Sequence, residues 1–385
     1  MASSKTCKIV MNEYKVIINE NGNIAVDDNI LVKGYPTEAG SKILKGFTPL
    51  FSATAVEKLE QSGYVISGKT KIGEFGLDLL GETASQDACL SSGAKLVKDG
   101  KVKACLSVDV NGYPRRCAFR EGVKFIKPTY GTVSRYGVVP CVCSGEQIGV
   151  TAKSTEDLIS VLSVISGHDK KDGTSLLEES YSYFAEEKSF KVAVIKQLIT
   201  KEVESAVKEL TNKGVSVVEI SIEEIEKIAH AWQILSCAET CNNLSRYDGV
   251  KFGYRTENYN DIDDLYVNTR TEGLGFLAKS TILYGSIVLS KDKYVDCYDK
   301  SLKIRRFAVE KTTELLKEFD VLLLGVCSNE EIKGENAFTS VYKENVYSCL
   351  ASITGLPALV SDGVQFIADY NKENLLFGLS KTLEK

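Results

Sequence analysis

The sequence predicts an α/β fold, a mixed sheet flanked by helices, and three observations carry that expectation. Short apolar runs alternate with longer segments of helical period, the helical segments carry start and stop signals, and the order strand, helix, strand recurs. Ser154-Thr155-Glu156-Asp157 forms a capping box, with a hydroxyl at the N-cap and an acid three residues on. Leu158, Ile159, Val161, Leu162, Val164 and Ile165 then supply an apolar face that Gly167 ends. Val192-Ala193-Val194-Ile195 reads as a buried strand, Thr200 to Lys213 as an amphipathic helix stopped at Gly214, and Val215 to Ile220 as the next strand. A helix near Leu302 to Lys317, followed by Val321-Leu322-Leu323-Leu324-Gly325, makes a second unit of this kind. Residues 170–189 are polar and acidic and read as the loop before the second half of one sheet. Residues 1–385 are expected to form one domain, with that loop as a possible division.

Composition narrows the function classes. The chain has 385 residues, 43% hydrophobic and 26% charged, enough to bury a large core. A formal net charge of -5 argues against bulk nucleic-acid binding, which needs a basic face. The opening Met1-Ala2-Ser3-Ser4-Lys5-Thr6-Cys7-Lys8 lacks the apolar core of a secretory signal, and no run approaches a membrane span. Eleven cysteines, an odd number without framework spacing, fit reduced thiols and a cytoplasmic location.

The most specific stretch is Lys127-Pro128-Thr129-Tyr130-Gly131, continuing through Val133-Ser134-Arg135-Tyr136-Gly137 to Gln147-Ile148-Gly149. With Ile24 to Ile30, Gly68-Lys69-Thr70, Gly167-His168-Asp169, Ser245-Arg246-Tyr247-Asp248-Gly249, Gly253-Tyr254-Arg255 and Gly355-Leu356-Pro357-Ala358, it resembles the amidase signature family. Within that family the chain looks most like the A subunit of tRNA-dependent amidotransferases that work on Glu-tRNA(Gln) or Asp-tRNA(Asn). The resemblance implies an amidase-type α/β fold, here shortened at both ends.

The resemblance also implies a Lys-Ser-Ser triad beside a glycine-rich oxyanion hole, and each position departs from that pattern. The lysine position of an Ile-Ala-x-Lys-Asp-Asn run holds Asp27, and the nucleophile position, counted back from Lys127 through Arg115, Gly112 and Asp109, holds Tyr113. The bridging serine falls on Cys89, with Ser91 and Ser92 as alternatives. Tyrosine, with a pKa of about 10, needs a strong base before it attacks an amide, and an aspartate at its ordinary value of about 3.9 is too weak to serve. Val110 and Asn111 replace turn glycines whose N–H groups would meet the oxyanion.

Other candidates are weaker. Ser92 to Lys95 fits Ser-x-x-Lys, yet the spacing recurs at Ser205 to Lys208 and Ser290 to Lys293. Cys141, Cys143, Cys237 and Cys241 lack the partners of a zinc site and read as packed thiols, and His168 reads as a structural loop residue. Asp109 and Tyr247 are candidate ligand contacts that the resemblance implies, although the family's basic carboxylate-holding residues read Ser280-Thr281 here.

The expectation that follows is a catalytically inactive, amidase-like scaffold or regulatory subunit without cofactor or metal. Its partners would resemble the B and C subunits of an amidotransferase, touching tRNA only through them and involving no membrane. The alternatives are an active amidotransferase or amidase component with altered, Cys-dependent chemistry, or a small-amide sensor.

Overall fold

In a computed structural model, the structure describes residues 23–77, 92–328 and 342–384. Ten strands among these residues form one sheet in the order β2-β1-β3-β5-β4-β9-β10-β8-β6-β7. They are β1 (Ile24–Asp27), β2 (Ile66–Thr70), β3 (Ala104–Asp109), β4 (Lys124–Lys127), β5 (Gln147–Ala152), β6 (Lys191–Ile195), β7 (Ser216–Ile220), β8 (Val321–Leu324), β9 (Ala358–Ser361) and β10 (Val364–Ala368). The sheet is mixed, as expected. β1 runs parallel to β2 and β3, β6 runs parallel to β7 and β8, and antiparallel pairs link these two parallel blocks.

Helices α1 (Thr54–Gln61), α2 (Ser92–Lys98), α3 (Tyr113–Glu121), α4 (Thr155–Ile165) and α5 (Lys201–Asn212) occupy the connections between strands. α6 (Ile225–Leu244), α7 (Ile262–Gly273), α8 (Phe276–Val288) and α9 (Lys300–Glu318) fill the long crossover from β7 to β8. α10 (Cys349–Thr354) precedes β9, and α11 (Glu373–Glu384) follows β10.

Local chemistry explains the boundaries. Ser154 caps α4 by accepting from the Asp157 N–H at 3.2 Å, and Leu158, Val161, Leu162 and Ile165 are buried beneath the helix. Thr200 caps α5, whose buried Val203, Ala206 and Leu210 follow the three-to-four spacing of one helical face. Each fully buried leucine or valine of this kind contributes about 1.5–3 kcal/mol. β7 forms one end of the strand order, which is why Val218 remains 45% exposed while β6 is covered. Residues 170–189 hold no helix or strand, and Asn374 at the start of α11 accepts from the N–H groups of Phe184 and Glu186. Among the described residues no helix is long and apolar enough to cross a membrane.

Candidate functional site

Asp27 lies at the C-terminal end of β1, opposite Thr70 on β2. On its other side the register pairs Val26 with Leu106, so the next residue along β3, Ser107, stands alongside Asp27. This end of a parallel block is where α/β sheets place ligands. The Asp27 carboxyl is 5% exposed. Its Oδ1 accepts from Thr70 Oγ1 at 2.6 Å and lies 3.8 Å from the Cys105 thiol. Burial pushes the Asp27 pKa up to about 6, against the opposing pull of the Thr70 and Ser107 hydroxyls and the Lys69 charge.

Two neighbours share this desolvation. Asp28 is likewise pushed up to about 6 by burial, while its Oδ2 accepts from the N–H groups of Glu38 and Gly40. Burial lowers Lys69 to about 8. Its Nζ donates to Ile30 O and to Thr37 Oγ1 rather than to Asp27.

These values correct the expectation that Asp27 keeps its solution basicity. A carboxyl titrating near 6 is in the range enzymes use for general acid–base chemistry. The adjacent Cys105 moves the other way for that purpose. Burial and the Asp27 charge raise its pKa well above the usual value, so it stays a thiol and is a poor nucleophile.

Tyr113 occupies the first turn of α3 and is 7% exposed, packed in the cluster that contains Ala25, Ala94, Cys105, Cys117 and Phe125. The preceding turn differs from a glycine-rich one. Asn111 donates to Leu77 O at 2.7 Å, and of residues 110–112 only Gly112 has positive φ, at +100°. A side chain at Gly112 would place its Cβ 2.4 Å from Ser348 Cβ, so the close approach of α3 to residue 348 requires glycine. The Gly112 N–H is committed to Asp109 Oδ1 at 2.8 Å.

Asp27, Lys71, Ser92, Ser107, Tyr113, Cys117 and Thr151 are among the residues that line a small pocket of about 10 Å³, room for roughly one water. Ser92 Oγ donates to Lys71 O at 2.7 Å. Cys89 and Ser91 lie outside the described residues. Thus Asp27 and Tyr113 face the same cavity, Ser107 and Thr151 join them, and Thr70 bonds to Asp27, none of these three having been singled out from sequence. The available signal was the alternation in Cys105-Leu106-Ser107, which turns polar side chains to one face of a strand.

Asp109 and Tyr247 stand apart from this cavity. Asp109 is fully buried and takes Arg115 Nε at 2.7 Å and Nη2 at 3.2 Å. Tyr247 is 4% exposed, stacked on Phe75 with ring centroids 5.5 Å apart and edge-on to Phe252. His168 Nδ1 meets Leu176 O at 2.8 Å within its loop. Cys237 Sγ accepts from Gln233 and Cys241 Sγ meets Ser286 Oγ. No metal-holding cluster of His, Cys, Asp or Glu occurs among the described residues.

A ten-stranded mixed sheet flanked by helices is the architecture of an amidase-type protein, and comparison with known proteins agrees. The family described as Amidase matches residues 23–86 and 106–377, and the chain belongs to it. It is 34% identical to the A subunit of glutamyl-tRNA(Gln) amidotransferase from Lachnoclostridium phytofermentans, over 87% of this chain and 74% of that protein. It is 33% identical to the corresponding protein of Halothermothrix orenii, over 92% of this chain and 79% of that one. The solved A subunit of the Thermotoga maritima glutamyl-tRNA(Gln) amidotransferase superposes with a TM-score of 0.77 at 25% identity, covering 96% of this chain and 85% of that one.

These relatives overturn the expectation of an inactive scaffold. The proteins aligned along almost the whole chain are named as subunits of an amidotransferase, and nothing in the comparison points to a purely structural role. The inactive reading rested on Asp27, Tyr113, Cys89 and the lost glycine turn together, and burial of the Asp27 carboxyl answers only the first of these.

Proposed function

We propose that the chain is an A-type component of a tRNA-dependent amidotransferase, active in transamidation with altered chemistry and with Asp27 as the acid–base residue in place of the family's lysine. The observation that carries the reading is a carboxyl near pKa 6 at that position, facing a polar cavity, in a chain 34% identical to an amidotransferase A-type protein. Above about pH 6 Asp27 is a carboxylate able to accept a proton. The Thr70 and Ser107 hydroxyls hold its orientation. Partners resembling B and C subunits would bind the tRNA, since the chain's net charge of -5 disfavours a direct nucleic-acid face. The work would take place in the cytoplasm.

The test is glutamine-dependent amidation of misacylated Glu-tRNA(Gln) by the chain with its B- and C-type partners. Wild type should support it, with a rate that rises through about pH 6, and Asp27→Asn should lower it by at least about a hundredfold while the complex still assembles. Full activity in Asp27→Asn would remove Asp27 from the chemistry.

A further inference from the structure

We propose that Glu74 is a positioning residue for the Asp27–Tyr113 pocket, acting through the chain segment on which it sits. Residues 70–77 bond at both ends to the residues that build the pocket. Thr70 Oγ1 donates to Asp27 Oδ1 at 2.6 Å. Lys71 lines the pocket, and its carbonyl takes the Ser92 hydroxyl at 2.7 Å. At the other end Leu77 O accepts from Asn111 Nδ2 at 2.7 Å, and Asn111 leads through Gly112 into Tyr113 at the start of α3. Gly76 lies against the same two strand ends: a Cβ there would stand 3.5 Å from Asn29 Nδ2 and 3.8 Å from Val110 Cγ2. A shift of this segment therefore moves the surroundings of Asp27 and the approach to Tyr113 together.

The backbone does not hold this course unaided. Phe75 has φ +54° and ψ +17°, a left-handed conformation that a non-glycine residue adopts rarely and keeps only where its surroundings enforce it. Its ring is buried on Tyr247, and its N–H donates to Ala39 O at 2.8 Å. Glu74 is the anchor beside it. Glu74 Oε1 accepts from Ser41 Oγ at 2.6 Å, and the two carboxylate oxygens take the Gly275 N–H at 2.9 and 3.0 Å. The carboxylate thus sits on the N-terminus of α8, whose N-cap Gly275 makes no side-chain cap bond, and the helix dipole favours a negative charge there. Burial raises the Glu74 pKa, and the Ser41 hydroxyl, the Gly275 and Ala278 N–H groups and the Lys279 charge oppose that rise. The seat is fitted closely: a Cβ on Gly275 would stand 2.5 Å from Glu74 Oε2. Glu74 is not among the residues that line the pocket, so its part is to hold the strained segment in register.

The positioning is read on the isolated full chain through Cys117, which lines the pocket and is buried. Alkylation of the native protein by iodoacetamide, mapped by mass spectrometry, measures local opening at that thiol. Cys349, buried in α10, reports global loosening. Glu74→Ala should speed alkylation of Cys117 by about tenfold or more and leave Cys349 unchanged. Glu74→Gln keeps an acceptor for the Gly275 N–H and should hold the Cys117 rate within about threefold of wild type. Glycine adopts positive φ freely, so Glu74→Ala added to Phe75→Gly should accelerate Cys117 less than it does in wild type. If Glu74→Ala does not fold, Gly275→Ala, whose methyl enters the carboxylate's seat, replaces it. Unchanged Cys117 protection, or equal acceleration at Cys117 and Cys349, would overturn the proposal.

The catalytic consequence rests on the amidotransferase reading. In the complex with B- and C-type partners, Glu74→Ala should lower kcat by at least about tenfold while KM for glutamine stays within about twofold. An unchanged kcat alongside an opened Cys117 would overturn the positioning role. A complex inactive even as wild type would end the amidotransferase reading and leave the Cys117 result to decide this one.

Discussion

Arg115 and Asp109 meet at 2.7 Å with neither side chain more than 1% exposed. The guanidinium is fully committed: Nε and one Nη2 proton go to Asp109, the other Nη2 proton to Ser352 Oγ, and Nη1 to Ser348 O and Gln365 Oε1. One side chain thereby joins the end of β3, helix α10 and strand β10.

Removing one partner strands the other charge. Asp109→Leu should destabilise the protein by about 3–5 kcal/mol, and the double variant Asp109→Leu/Arg115→Met by less than the sum of the single changes. Urea unfolding of the four proteins measures both quantities.

Tyr113 fills space under α2 and α3. Tyr113→Ser should cost about 3 kcal/mol or more, from lost burial and the void left behind. It should create no Lys-Ser-Ser amidase, because the base position remains Asp27. Melting curves, and ammonia release from glutamine that does not exceed the wild-type rate, check the two halves of this expectation.

Asp27 gives stability a signed dependence on pH. Its folded pKa of about 6 exceeds the ordinary 3.8, so between these values the native state binds more protons than the unfolded state. Stability therefore falls as pH rises from about 4 to 6. Asp28 contributes over the same window. Asp27→Asn should flatten the slope and Asp27→Asn/Asp28→Asn should flatten it further, as read from denaturant midpoints across this range.

Lys127 acts in the opposite window. It is fully buried and donates to Leu356 O at 2.9 Å, and burial lowers its pKa to about 7. From about pH 7 to 10.5 the unfolded chain holds the extra proton, so this group makes stability rise with pH. Lys127→Met should be more stable than wild type at about pH 7, with the advantage shrinking as pH approaches about 10. Midpoints that keep a constant difference across that range would show another origin.

Much of the fold was legible because its signals are local. Val192–Ile195 and Val321–Leu324 announce strands by composition, and Ser154 and Thr200 announce helix starts by their hydroxyls. The site was legible only in part. Motif spacing located Asp27 and Tyr113, but the basicity of Asp27 depends on desolvation, which no linear pattern records. Thr70 and Ser107 reach Asp27 through strand register, across separations that sequence spacing alone does not bridge. Asp109 and Tyr247 were singled out as ligand contacts, whereas their surroundings are an ion pair and an aromatic stack. A carboxylate or phenol has the same symbol in either setting.

The sheet order also has a consequence for biosynthesis. β9 and β10 sit between β4 and β8, although β6, β7 and β8 precede them in the chain. The two parallel blocks have no shared strand border until residues 358–368 are available. A ribosome delivering this chain must hold back the joining of its halves until that hairpin emerges, and meanwhile the facing edges of β4 and β8 are bare. Such open strand edges are what chaperones shield and what aggregation exploits. The interval between synthesis of β8 and of β10 is when the nascent protein is most vulnerable.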